Sequence, residues 1–449
     1  MSKQVPKNQA HAGKTPRDMV AAEGGETMLP VMMLPVMDYA DKENRYRLRE
    51  RFTDSRAPGT GKRGLVAGYR SHHGLQTHGF IGKGGGALMK GYRIAFGLWL
   101  IGWVGGLVAA AGEEVILVAG GGTGGDGSAA REAKLVQPFG VDFLGSTVYF
   151  VEMLGGDRLR AITGEGKVIT LAGVAGQKGN AGDGGDPLAA RFNGLHALAV
   201  GPDGRIYLAD TFNHRVRVYD PQRRTLTGFA GTGEAGYSGD GGPAAQATFR
   251  GIHHLAFDPS GKNLYLTDLG NRRIRRVDLK TGVVTTVAGN GDKGVPQEGG
   301  RATEQPLVDP RAAVVDAQGR IWILERSGHA LRVVDADGTI RTVAGTGKAG
   351  QGLGPARDAA LNGPKHLCLD RDGSILIADT ENHRIVRYDP KQQTLTQVAG
   401  TGKRGSRIVT NDPLQTELAQ PHGVHVHPGT GDIYIADSSN HRILRIVRR

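Results

Sequence analysis

One cysteine, Cys368, stands among 449 residues. That excludes an intrachain disulfide framework and any multi-cysteine metal knuckle. Its setting, HLCLD, is an apolar strand pattern, which marks it as a small core residue. Aromatic residues make up only 6% of the chain, few for stacking bases in an RNA-binding surface. Signature motifs are missing as well. The sequence has no G-x-S-x-G elbow, no Walker loop, no HExxH helix and no kinase signature set, so those chemistries are excluded. The glycine string at 120–125, GGGTGG, has no helix after it, and a dinucleotide fingerprint requires one.

What the chain has instead is glycine, 72 residues of it, against 22% charged residues. This composition points to many short strands joined by turns. The formal charge of +12 is unevenly placed. Residues 1–112 hold 16 Lys+Arg against 8 Asp+Glu, which leaves 40 against 36 in the remainder. The basic excess therefore lies mostly outside the glycine-rich region, and no nucleic-acid partner is expected.

Residues 1–88 show no sustained core-forming period and read as a disordered leader or an over-extended start, with Met89 an alternative first residue. Residues 89–112 then bring a short basic leader (MKGYR), an uncharged apolar stretch at 94–111, and Ala109, Ala110 and Ala111 before Glu113. Those are the regions of a signal peptide in order. Uncleaved, the apolar helix is just long enough to span a bilayer as a membrane anchor. Either way residues 113–449 are expected outside the cytoplasm, periplasmic, secreted or membrane-anchored.

Self-similarity organises the rest. An apolar-Ala-Gly strand end recurs at Gly120, Gly173, Gly231, Gly289, Gly345 and Gly400, with spacings of 53, 58, 58, 56 and 55 residues. A glycine-rich loop follows each, as in GDGGDPLAARF (182–192) and GDGGPAAQATF (239–249). Then come an apolar anchor (Leu135, Phe192, Phe249, Leu307, Leu361, Leu418) and three strands of alternating pattern. Four-stranded sheets that cannot bury both faces alone do so when six pack radially, so the fold class is all-β, a six-bladed β-propeller. The strand at 115–119 has no blade before it and the chain ends after a third strand, so the N-terminal strand is expected to close the last blade.

Over residues 115–449 the repeats resemble the NHL-repeat family. The resemblance is carried by the turns ADTFNHR (209–215), ADTENHR (378–384) and ADSSNHR (436–442), with TDLGNRR (267–273) a variant; EMLGGDR (152–158) and ERSGHAL (325–331) depart from it. It implies a repeat propeller used in protein binding and in extracellular sensing.

Three columns of residues are candidates for chemistry. Glu152, Asp210, Asp268, Glu325, Asp379 and Asp437 recur before each turn. They are expected to be structural, accepting backbone N–H bonds across the turn or pairing with Arg215, Arg273, Arg384 or Arg442. Asp126, Asp183 and Asp240 sit in glycine-rich loops and read as turn residues rather than metal or phosphate ligands. The third column opens the innermost strands: Phe139, His196, His253, Arg311, Lys365 and His422. Five cationic types and no acid suggest a ring lining the channel mouth that binds an anionic or polar ligand, with His254, His366 and His425 on the other face of the same strands.

The chain also resembles, more distantly, the peptidyl-hydroxyglycine amidating lyases, six-bladed propellers that hold zinc by histidines opening inner strands. Gln420-Pro421-His422-Gly423 resembles that motif, and Gly194-Leu195-His196 and Gly251-Ile252-His253 do so more loosely. The resemblance implies zinc held by His196, His253 and His422, with Arg311 or Lys365 stabilising developing negative charge. The primary expectation is a monomeric binding platform for a protein, peptide or glycan, with the loops at 292–305 and 403–417 setting specificity. A metal-dependent lyase or hydrolase is the alternative.

Overall fold

The computed structural model describes residues 113–449. The leader at 1–88 and the stretch at 89–112 lie outside the described residues. Six antiparallel sheets follow one another along the chain. Four have four strands, and two carry a short fifth outer strand, Gly300–Arg301 and Gly354–Pro355. The innermost strands are Pro138–Leu144, Leu195–Val200, Ile252–Phe257, Pro310–Val315, His366–Leu369 and Gly423–Val426. They define blades 1 to 6 around the central axis. In blade 6 the outer strand comes from the other end of the chain. Glu114–Gly120 pairs antiparallel with Arg442–Val447, Glu114 opposite Val447. A closed ring leaves no sheet of this array without a neighbour on each face.

Burial follows the alternation in the strands. The six apolar anchors are all at or below 3% exposure and sit between adjacent blades. Cys368 is buried among Leu376, Ala378 and Val424, and burial pushes its thiol up, out of the reactive range.

The carboxylate column has a uniform task. In every blade one oxygen accepts the backbone N–H three residues before the ring position: Val136 to Glu152, Asn193 to Asp210, Arg250 to Asp268, Val308 to Glu325, Asn362 to Asp379 and Ala419 to Asp437, at 2.7–2.9 Å. These bonds reach back to the loop that enters the innermost strand, not across the turn. The second oxygen takes the turn asparagine in four blades, from Asn213, Asn271, Asn382 and Asn440. Each asparagine also donates to a carbonyl of the glycine-rich loop, at Gly179, Gly236, Gly350 and Gly405.

Every carboxylate also has a buried arginine near it. In blades 5 and 6 these are Arg384 and Arg442, each 2.8 Å from its partner. In blades 3 and 4 the arginine two residues further on takes that place, Arg275 at 3.5 Å and Arg332 at 2.6 Å, and in blades 1 and 2 both positions serve: Arg158 and Arg160 lie 2.5 and 3.0 Å from Glu152, Arg215 and Arg217 3.7 and 3.8 Å from Asp210. Arg273, expected to pair with Asp268, instead lies over the Tyr237 ring and donates to Asn290. Asp126, Asp183 and Asp240 find their role here. They bind the guanidinium groups of Arg160, Arg217 and Arg275 at 2.6–2.8 Å. They occur in the loops of those three blades, where the inner arginine needs a second acceptor.

Seams between blades are stitched at the same turns. The turn residue in left-handed conformation, φ between 44° and 56°, is Asp157, His214, Arg272, His329, His383 or His441. Four of these histidines accept, through Nδ1, the N–H two residues before the next blade's ring position, at Gly251, Gly363, Gln420 and Gln137. Asp157 does the same for Gly194. Thr211, Thr380 and Ser438 hydroxyls donate to the next blade's Ile252, Pro421 and Pro138 carbonyls. Gly423 marks the tightest seam, since a Cβ there would lie 2.1 Å from the Phe139 carbonyl oxygen.

Asp379→Asn keeps an acceptor oxygen for Asn362 but leaves Arg384 buried without its counter-charge. The expected loss is about 3–5 kcal/mol in urea unfolding. Adding Arg384→Met should recover part of it. A single-variant loss below about 1 kcal/mol would show that the charge pair does not hold the blade.

Candidate functional site

The backbone before each ring position is fixed by its own blade's carboxylate and, in five of the six blades, by the previous blade's turn. All six side chains, Phe139, His196, His253, Arg311, Lys365 and His422, are buried, none above 9% exposure. They do not line an open channel. They pack on one another across the axis and close it. Phe139 stacks on His422 with ring centres 3.9 Å apart, and His196 meets Phe139 and His253 edge-on at 5.1 and 4.9 Å. Arg311 Nη2, from blade 4, donates to His196 Nε2 of blade 2 at 2.7 Å.

Hydrogen bonds fix the imidazole tautomers. A carbonyl only accepts, so the contacts of His253 Nδ1 with Gly251 O (2.9 Å) and His422 Nδ1 with Gln420 O (3.2 Å) place the proton on Nδ1. A guanidinium only donates, so His196 accepts at Nε2. Burial, with Arg311 and other cations nearby, lowers all three well below the usual histidine range. The three histidines are therefore neutral at pH 7.

One of the two ring cations is ion-paired from within. Lys365 Nζ lies 2.9 Å from Glu381 Oε1, whereas the Asp309 carboxylate pairs with Arg326 at 2.9 Å and acts on Arg311 only at longer range. The ring expected to attract an anion thus has two carboxylates beside it, both already paired, and keeps Arg311 as a buried cation on His196. The zinc reading meets a related obstacle. Arg311 occupies the His196 lone pair, and among the described residues no group of three His, Cys, Asp or Glu side chains is placed to hold a metal ion.

A second tier lies deeper in the shaft. A register shift between Ile252 and His254 turns His254 inward. Its ring comes within 4.7 Å of His366, from two blades away. These two face the axis rather than the other side of their strands. His425, lower still, points Nε2 at Asp142, 3.3 Å away. Arg311 Nε, His422 Nε2, His254 Nδ1 and His366 Nδ1 make no hydrogen bond. Each such buried group costs about 1–3 kcal/mol, so the plug is held closed by its frame and not by its own polar contacts.

Above the plug stands a column that the sequence reading passed over, the residue two after each carboxylate. Around the ring it reads Leu154, Phe212, Gly270, Ser327, Glu381 and Ser439. Blades 1 to 3 give an apolar half and blades 4 to 6 a polar half. Phe212 is 44% exposed, edge-on to His253 at 6.3 Å. It lies over Gly194, where a Cβ would come 2.5 Å from the ring. Opposite it, Glu381 Oε2 accepts from Gln420 Nε2 at 3.0 Å, and Ser439 Oγ donates to Gln420 Oε1 at 3.0 Å. Ser327 Oγ donates to Asp309 Oδ2 at 2.6 Å. The signal was available in the strict spacing from the carboxylate column, but it emerges only when the turns are stacked.

The plug makes stability depend on pH. Unfolded, a histidine titrates near 6.5. Burial, with His425 nearby, lowers His254 to about 3. Its contribution is complete above about pH 6.5 and is lost as pH falls toward 3, where the unfolded chain takes up a proton that the folded one refuses. His254→Phe should therefore weaken the acid dependence by up to about 1.4 kcal/mol per pH unit between pH 6 and 4. The variant is compared with the parent because burial raises Asp210 to about 6 and lifts Asp379 and Asp437, which acts in the opposite sense. Parallel curves from urea unfolding at each pH would contradict the assignment.

Comparison with known proteins bears on the repeats. The family profile described as NHL repeat matches residues 192–219, 361–388 and 418–446, each running from an apolar anchor into the third strand of blades 2, 5 and 6. NHL repeat-containing protein 2 from Gallus gallus is 25% identical over 286 residues, 57% of this chain and 39% of its own length. Teneurin-1 from Homo sapiens is 27% identical over 281 residues, 56% of this chain and 9% of that protein. The chain thus matches less than two-fifths of either relative. Among solved structures, an auxiliary nutrient binding protein from Bacteroides ovatus superposes with a TM-score of 0.57 at 15% identity, over 75% of this chain and 77% of that one. A structural genomics protein of unknown function from Bacteroides thetaiotaomicron gives 0.55 at 19% identity, over 75% and 76%. At these identities the likeness is one of fold. The chain is a six-bladed β-propeller whose blades 2, 5 and 6 carry NHL repeats.

Proposed function

We infer that this propeller is a binding platform, working outside the cytoplasm, whose ligand sits over the closed channel at the rim formed by the six turns. The observation that carries the reading is the rim column itself. It is held at one fixed spacing in all six blades, yet it varies in chemistry from Leu154 and Phe212 to Glu381 and Ser439. A column with only a structural task would repeat one residue type, as the carboxylates below it do. The frame is rigid and the variable residues stand on it, which is the arrangement of a recognition surface. The fold neighbour named as a nutrient binding protein fits this reading. Residues 89–112 would export or tether the propeller, and the loops at 292–305 and 403–417 would extend its contacts.

Two experiments test the proposal. In a thermal-shift screen of the full chain against saccharides and peptides, ligands that raise the midpoint should lose that effect in Phe212→Ala and Glu381→Gln. Ligands unaffected by both would place binding elsewhere. A phosphatase reporter fused after Arg449 should be active only on the outer side of the membrane, and an inactive, cytosolic fusion would overturn the location. Metal analysis separates the platform from a lyase, because stoichiometric zinc lost in His422→Ala would favour the enzyme.

A further inference from the structure

The rim has two unlike halves that face each other. Phe212 of blade 2 and Glu381 of blade 5 are diametrically opposed in a ring of six. The Phe212 ring lies against Gly194, where a Cβ would come 2.5 Å from it, and the side chain remains 44% exposed. A side chain held in this way is a preformed flat apolar surface with little rotamer freedom left to lose. Across the axis, donors and acceptors form two hydrogen-bonded groups, Glu381 with Gln420 and Ser439, and Ser327 with Asp309.

Charge narrows the class of ligand. The carboxylates of the polar half are already engaged, Glu381 by Lys365 and Asp309 by Arg326. An anionic ligand would be set against those two acids, and a cationic one against Lys365, Arg311 and Arg326. Arg311 and Lys365 are 2% exposed beneath the rim, so an anion gains no accessible counter-charge there, and either ion would have to shed water. A hydroxyl, which donates and accepts at once, suits a surface that offers carboxylate and amide oxygens beside amide and hydroxyl hydrogens.

Shape narrows it further. A ligand that touches both halves must present an apolar face on one side and hydroxyls on the other. A pyranose does so, with its C–H face against an aromatic ring and its hydroxyl edge opposite. A peptide backbone offers one donor and one acceptor per residue and is flanked by side chains, so it matches the polar half only in part. We propose that the rim binds the terminal residue of a neutral glycan, with Phe212 as the stacking platform and the Glu381, Gln420 and Ser439 network reading its hydroxyls. This rests on the platform reading and specifies its ligand.

The test is an array of immobilised neutral oligosaccharides, glucuronate- and sialate-ended glycans, and glutamine-ended peptides, probed with the full chain. Hits are followed by saturation-transfer NMR with the corresponding free disaccharide. Neutral glycans should be bound, with transfer strongest to the C–H protons of the terminal residue. Phe212→Ala should weaken binding roughly tenfold without changing the thermal midpoint, and Phe212→Trp should retain it. Ser439→Ala should alter preference among terminal sugars more than total capture. Binding of peptides alone, lost in Phe212→Ala, would overturn the glycan assignment and leave the platform standing. Binding insensitive to Phe212, Glu381 and Ser439 alike would overturn both.

Discussion

A buried carboxylate, repeated six times, is the constraint from which the rest of the molecule follows. Each one holds the loop entering its blade's innermost strand, and in four blades it also orders the turn through an asparagine. A buried charge is tolerable only with a partner and with its remaining lone pairs occupied. Each blade therefore has a buried arginine, from one of two positions in the third strand, and blades 1 to 3 have arginine at both. Arg384 and Arg442 serve where the next inward position is Val386 or Leu444, and Arg332 serves where the nearer position is Ala330. The glycine-loop aspartates belong to the same electrostatic unit.

That unit explains why the channel can tolerate an unfavourable interior. Orphaned imidazole nitrogens and a guanidinium packed around an axis would not assemble on their own merits. They are placed there because backbone groups just before them are held by the blade's own carboxylate and by the preceding turn, three such groups in blades 1, 3 and 6. The cost of the plug is met by the frame, and the rim residues stand on a floor that does not depend on what binds above it.

Much of the architecture was legible in the sequence. The apolar anchors, the Ala-Gly strand ends and the turn motif repeat at spacings that only a closed array of like sheets satisfies, and the interior alternation did the rest. The site was legible in part. Reading one column at a time placed His196, His253, Arg311, Lys365 and His422 correctly together, but it treated them as an isolated set. Glu381, which pairs with Lys365, and Asp309, beside Arg311, lie sixteen residues after and two residues before those cations, outside the ring column. His254 faces the axis because of a local register shift, and strict alternation assigns it to the opposite side. Both features arise inside single blades, from contacts between different columns and from a bulge, and the spacing of one column holds no information about either.

The seams have a direction. In five of the six seams the turn secures the blade that follows it, as His214 serves Gly251, His383 serves Gln420 and His441 serves Gln137. A change in one turn should thus be felt clockwise or anticlockwise, but not both. Drift in one repeat therefore displaces the ligand-facing residue of the next, so the sensible unit of inheritance in this ring is a pair of half-blades straddling a seam and not the repeat as the sequence divides it.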